Sequence, residues 1–117
     1  MPTLTVSGTI SFPIAAESTP PSRSFSFTLN YTKKVTKDLE LTGAQVDVDL
    51  LDGIADAKAV YVECLVGSGT LEANAATAGS DVTAGNGFYA WFNPDGGLTT
   101  FTVTTGADAT FRYYIFS

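Results

Sequence analysis

The side chains that could do chemistry in this sequence are carboxylates, aromatic rings and one thiol. Asp47, Asp49, Asp52 and Asp56 crowd a single stretch. Period two puts Asp47 and Asp49 on one strand face, with Asp52 just past its end. Carboxylates so placed are candidate ligands for Ca²⁺, which takes six to eight oxygens. The spacing is not that of an EF-hand loop, because Gly53 falls in the wrong place, and alternating Asp on an outward face serves equally as edge protection. Asp47, Asp49, Glu63 and Glu72 are of the type that paired-carboxylate glycoside hydrolysis needs. Nothing in their spacing sets a separation or raises a pKa. The chain has no His, which removes the commonest general base, the usual serine or cysteine triad and the commonest metal ligand. Cys64 is the one cysteine, so no disulfide closes within the chain. Its place in Val60-Tyr61-Val62-Glu63-Cys64-Leu65-Val66 reads as a small buried hydrophobe. Phosphate loops, the dinucleotide fingerprint and paired CxxC are absent; Gly85-Asn86-Gly87 and Gly96-Gly97 are turn glycines. The expectation is a protein that is not an enzyme, with no catalytic residue, metal or cofactor.

The aromatic set is Tyr61, Tyr89, Trp91, Tyr114 and Phe116. On the strand Phe88-Tyr89-Ala90-Trp91-Phe92, one phase sends Phe88, Ala90 and Phe92 to the core and leaves Tyr89 and Trp91 pointing outward. Two outward rings two residues apart suit a subunit interface, where Tyr and Trp are enriched, or a stacking site for sugar rings. A central strand with both faces covered gives the same pattern.

These residues need strands to hold them. Ala109-Thr110-Phe111-Arg112-Tyr113-Tyr114-Ile115-Phe116 places Ala109, Phe111, Tyr113 and Ile115 on one face and Tyr114 and Phe116 on the other. Apolar on both faces near its end, it belongs between neighbouring strands. Leu4, Val6, Ile10 and Phe12 alternate with Thr and Ser; Phe25, Phe27, Leu29 and Tyr31 alternate more cleanly still. Residues 13–23 hold three prolines and read as a loop or arm, with Pro20-Pro21 excluding helix and central strand. Lys33–Asp38 reads as a charged turn, Leu39 and Leu41 as the inward residues after it, and Val46, Val48 and Leu50 as the inward set of the next strand. Leu51–Lys58 is the one place for a helical turn, with Asp52 as its cap. Val60, Val62, Cys64 and Val66 share a face. Thr70–Ala73 pairs back as a short hairpin arm, and residues 74–87 read as loop with a weak strand at 81–83. Asn93-Pro94-Asp95-Gly96-Gly97 is a strong turn before Phe101, Val103 and Thr105. About eight strands separated by turns predict an all-β fold, an antiparallel two-sheet sandwich of jelly-roll type, as a single domain over 1–117.

Composition narrows the partners. Only 15% of the 117 residues are charged, against about 25% in typical domains, so the surface is rich in Thr, Ser, Gly and Ala. A net charge of −6 with six basic residues is a poor footprint for nucleic acid and for an anionic membrane. The N-terminus lacks a basic segment followed by an apolar run, and no apolar stretch is long enough for a membrane helix. Synthesis in a cytoplasm without a signal peptide is expected.

Leu41-Thr42-Gly43-Ala44-Gln45-Val46-Asp47-Val48-Asp49-Leu50, Ala57–Glu63, Phe88–Pro94 and Phe101–Ala109 together resemble the small all-β virion proteins of tailed bacteriophages: capsid decoration, cement or tail components. The resemblance implies a structural subunit located in the virion. It would form a homo-oligomer, with a trimer favoured, and dock on other virion proteins without enzymatic activity. On that reading Pro20, Pro21, Tyr89, Trp91 and Tyr114 are contact residues. The alternative is a carbohydrate-binding β-sandwich module that grips a glycan with Tyr89 and Trp91.

Overall fold

The computed structural model describes residues 2–11 and 22–117, and of residues 76–80 the backbone alone. Among the described residues the protein is all-β, with ten strands in antiparallel sheets. It divides into two compact units, Met1–Tyr31 and Thr32–Ser117.

In the first unit β1 (Thr3–Ser11) pairs with β2 (Ser22–Asn30) as a two-stranded sheet, with Val6 opposite Phe27 and Gly8 opposite Phe25. The Phe25 ring covers Gly8 so closely that an added Cβ would sit 2.9 Å from it. Phe25 and Phe27 stack with centroids 5.9 Å apart. Pro20 and Pro21 lie outside the described residues, whereas Ser22 and Arg23 already belong to β2.

The second unit is the sandwich. Its strands are β3 (Lys34–Leu41), β4 (Gln45–Asp49), β5 (Ala59–Val66), β6 (Ser68–Ala73), β7 (Ala76–Thr83), β8 (Phe88–Phe92), β9 (Phe101–Thr105) and β10 (Ala109–Phe116). They form two sheets, in the orders β3-β10-β5-β8 and β4-β9-β6-β7. The chain first pairs with itself as one long hairpin: β3 with β10, β4 with β9, β5 with β8 and β6 with β7. That hairpin is rolled up, so that β10 also pairs with β5 and β9 with β6. The last strand is therefore flanked on both sides, as its two apolar faces require.

Period-two alternation builds the core. Phe111, Tyr113 and Ile115 from β10 and Val60, Val62 and Cys64 from β5 meet Leu71, Phe101 and Val103 of the other sheet. Burying side chains of this size contributes about 1.5–3 kcal/mol each. Thr105 is buried among them and keeps its hydroxyl paired, donating to Gly43 O at 3.1 Å and accepting from Gln45 N at 3.2 Å.

Several local expectations are corrected. Lys34–Asp38 is not a turn but the first part of β3, because Val35 and Leu39 reach the core at the correct period; Lys34 falls on the outer face, and Lys37, in phase with Val35 and Leu39, stays exposed at the sheet edge. Val46 is 75% exposed: the register breaks between Gln45 and Val48 and Asp47 takes φ 51°, so the bulge turns Val46 out. Leu51–Lys58 forms no helix; a tight turn closed by Ile54 N to Leu51 O (3.0 Å) buries Leu51, Ile54 and Ala57. Residues 76–83 are a full edge strand.

Candidate functional site

The phase of β8 is the reverse of the one expected. Tyr89 and Trp91 pack against the core, and Phe88 faces outward at 62% exposure. The cause lies in the partners. Tyr89 stacks on Phe101 of the opposite sheet, centroids 5.6 Å apart. In register, Tyr89 stands opposite Val62 and Trp91 opposite Val60, both inward residues of β5. Burial pushes the Tyr89 hydroxyl pKa up. Tyr89 and Trp91 thus pack against the core instead of pointing outward, and both stay partly buried. Tyr114 lies on the outer face of β10, half-buried.

That outer face holds the most concentrated side-chain chemistry on the sandwich. Three rows cross the sheet β3-β10-β5-β8. The first is Asp38, Arg112, Glu63 and Phe88. The second is Thr36, Tyr114, Tyr61 and Ala90; the third is Lys34, Phe116, Ala59 and Phe92. Tyr61 sits at the centre. Its ring lies 5.8 Å from Tyr114 at 21° and 5.2 Å from Phe88 at 33°, so a line of three rings runs across three strands. Its hydroxyl donates to Glu63 Oε2 at 3.0 Å. Desolvation raises the Tyr61 pKa, and the Glu63 carboxylate adds to it.

Beside the rings, Arg112 grips Asp38 with two bonds, Nε to Oδ1 at 2.9 Å and Nη2 to Oδ2 at 3.0 Å. The guanidinium holds the Asp38 carboxyl below its ordinary range, which makes it a poorer base. The pair fixes the charged end of the row beside the rings.

Asp47, Asp49 and Asp56 are engaged in local structure. Asp49 Oδ1 accepts from Leu51 N at 3.1 Å, Asp56 Oδ1 from Gly97 N at 2.6 Å, and Asp47 Oδ1 from the Thr104 hydroxyl at 3.4 Å. Among the described residues no three His, Cys, Asp or Glu side chains converge as a metal site would require. Cys64 is buried, its thiol bonded to Val66 O (3.1 Å) and Gly67 O (3.3 Å), and burial raises its pKa.

The outer row was half visible in the sequence: Tyr61, Tyr114 and Phe116 stood in the aromatic set, but Phe88 did not. Its signal was the register, since Phe88 falls opposite Glu63 once Tyr61 is set outward. Comparison with protein-family models, curated proteins and solved structures finds no match for this chain.

Proposed function

We propose that the protein is a non-enzymatic structural subunit of a phage virion, a capsid decoration, cement or tail component, which oligomerises and docks on other virion proteins. One observation carries this reading: the line Phe88–Tyr61–Tyr114 on the outward face of a four-stranded sheet. Aromatic rings at a solvated sheet surface are the side chains most enriched in protein interfaces. The rolled-hairpin strand order supports a jelly roll, an architecture common in capsid and lectin domains; that support is an analogy of fold and carries less weight than the face itself. Tyr114 keeps its role as a contact residue, while Tyr61 and Phe88 take the places first given to Tyr89 and Trp91.

Glycan binding is the weaker reading. Sugars stack on ring faces, yet Tyr61 has Tyr114 against one side and Phe88 against the other. Its free surface is the ring edge, which suits side chains of another protein better than a pyranose.

Sedimentation tests the proposal. The tagged chain, expressed in the cell that encodes it, should run with particles of virion size. Replacing Tyr61 and Phe88 together by Ser should release it while the isolated protein keeps its β circular-dichroism signal. A chain that stays in the slow-sedimenting fraction overturns the reading.

A further inference from the structure

Three of the four edge strands in the sandwich are guarded or interrupted. β3 carries Lys34, Lys37, Asp38 and Glu40. β4 is bulged and carries Asp47 and Asp49. β7 carries Asp81, and its register with β6 breaks opposite Thr70–Glu72. Charges and bulges of this kind keep sheet edges from pairing with other chains. β8 has neither. It contains no charge and no proline, and its register with β5 runs unbroken from Phe88 to Phe92.

The outer edge of β8 has hydrogen-bonding capacity to offer. Asn93 N donates to Lys58 O at 2.8 Å, which makes Lys58 and Asn93 a bonded pair in the ladder. Alternation then turns the N–H and C=O of Trp91 and Tyr89 toward β5, and those of Ala90 and Phe88 away from it. No strand among the described residues pairs with that side.

The sequence of β8 names its partner. Phe88-Tyr89-Ala90-Trp91-Phe92 is a palindrome in character, with aromatic pairs placed symmetrically about a small centre. Laid antiparallel on a second copy of itself, Ala90 exchanges both hydrogen bonds with the second copy's Ala90. Phe88 then stands opposite the second copy's Phe92, and Tyr89 opposite its Trp91. Every flanking cross-strand pair is aromatic, the kind that stabilises antiparallel sheets most. Charge agrees: the chain carries −6 overall, and a β4 seam would set Asp47 and Asp49 against their own copies, whereas β8 meets itself without like charges.

We propose that β8 is the seam of a homodimer, pairing antiparallel with β8 of a second copy about Ala90 so that two four-stranded sheets become one continuous sheet. This rests on the assembly reading and specifies one of its contacts. It joins the two aromatic outer faces side by side. A twofold seam of this kind does not by itself close a threefold ring, so it gives a dimer where the virion resemblance implies a trimer.

The test is light scattering after size exclusion over a dilution series of the purified full chain. The seam spans only five residues, about 17 Å, so dissociation should fall within reach. The mass should move from twice 12.3 kDa toward 12.3 kDa on dilution. Ala90→Glu sets two carboxylates opposite each other, and Ala90→Pro removes an N–H that β5 does not use. Both should keep the β signal and remain at the single-chain mass throughout. If either fails to fold, Ala90→Cys in a Cys64→Ala background decides. Bonded partners lie about 5.5 Å apart at Cα, within disulfide reach, so oxidation should give a covalent dimer. A wild type that is monomeric at every concentration, variants that keep the wild-type oligomer, or no covalent dimer each overturn the seam. Particle sedimentation by a chain that is monomeric alone would overturn the seam and leave the assembly reading standing; a β8 dimer that never joins particles would do the reverse.

Discussion

Tyr89 of β8 lies ring against ring with Phe101 of β9, 5.6 Å apart at 28°, and this contact ties the edge of one sheet to the buried strand of the other. Phe101 is fully buried and Trp91 packs on the same core. Tyr89→Ala should therefore lower the stability of the single chain. Removing a largely buried aromatic ring costs about 3–5 kcal/mol, and the half-buried position of Tyr89 puts its loss near the low end. Urea unfolding should show it as a lower midpoint. Trp91→Ala should behave alike; an unchanged midpoint with weakened assembly would restore Trp91 to the surface.

Gly69 of β6 is buried for a steric reason. A Cβ there would come 2.6 Å from Phe111 Cζ and 2.8 Å from Val103 Cγ2, and both side chains are fully buried. Neither can swing away into solvent. Gly69→Ala should destabilise by about 1–3 kcal/mol, the usual range for overpacking a filled core. A thermal midpoint equal to wild type would show that the two sheets can separate locally at that layer.

What the sequence revealed and what it hid both follow from information content along the strands. β10 was legible because polar Thr110 and Arg112 mark its outer side while Phe111, Tyr113 and Ile115 mark its inner one. In β8 all five residues are apolar or aromatic, so alternation carries no phase, and only the stack on Phe101 decides it. Val46 looked inward because a bulge cannot be read from Gln45-Val46-Asp47-Val48; it depends on Asp47 taking a left-handed backbone and donating its N–H to the Thr104 hydroxyl at 3.1 Å. β3 was hidden by its charges, which suit an edge strand as well as a turn. The outer aromatic line was invisible as a line, since Tyr61, Phe88 and Tyr114 belong to three strands far apart in the chain and only register brings them together.

Cys64 offers a probe of opening. Its thiol is buried, hydrogen-bonded to two carbonyls, and shifted upward in pKa by burial. The thiolate is the reactive form, so a thiol reagent should label the native chain slowly and the urea-unfolded chain at once. The logarithm of the native labelling rate should rise in Gly69→Ala in proportion to its loss of stability, about tenfold for each 1.4 kcal/mol. Fast labelling of the wild type would show that the Val66–Gly67 end of β5 opens without global unfolding.

Alkaline pH should destabilise the sandwich through Tyr113. This side chain is 1% exposed. Burial, followed by the charges of Asp52 and Asp49, pushes its pKa from an ordinary 10.0 up to about 12. The ionised form is therefore disfavoured in the folded chain and easy in the unfolded one. Stability is intact below the unfolded value and falls as pH rises from there through the folded value, a window of about pH 10 to 12. A tenfold change in a proton's affinity corresponds to about 1.4 kcal/mol, so Tyr113 alone removes about 2–3 kcal/mol by the top of that window. Tyr113→Phe should lift the alkaline limb of the stability curve and leave its shape below about pH 9 unchanged. The other tyrosines are common to both proteins, so the difference between the two curves isolates Tyr113. Parallel curves from neutral to alkaline pH would show that the hydroxyl reaches water in the folded state.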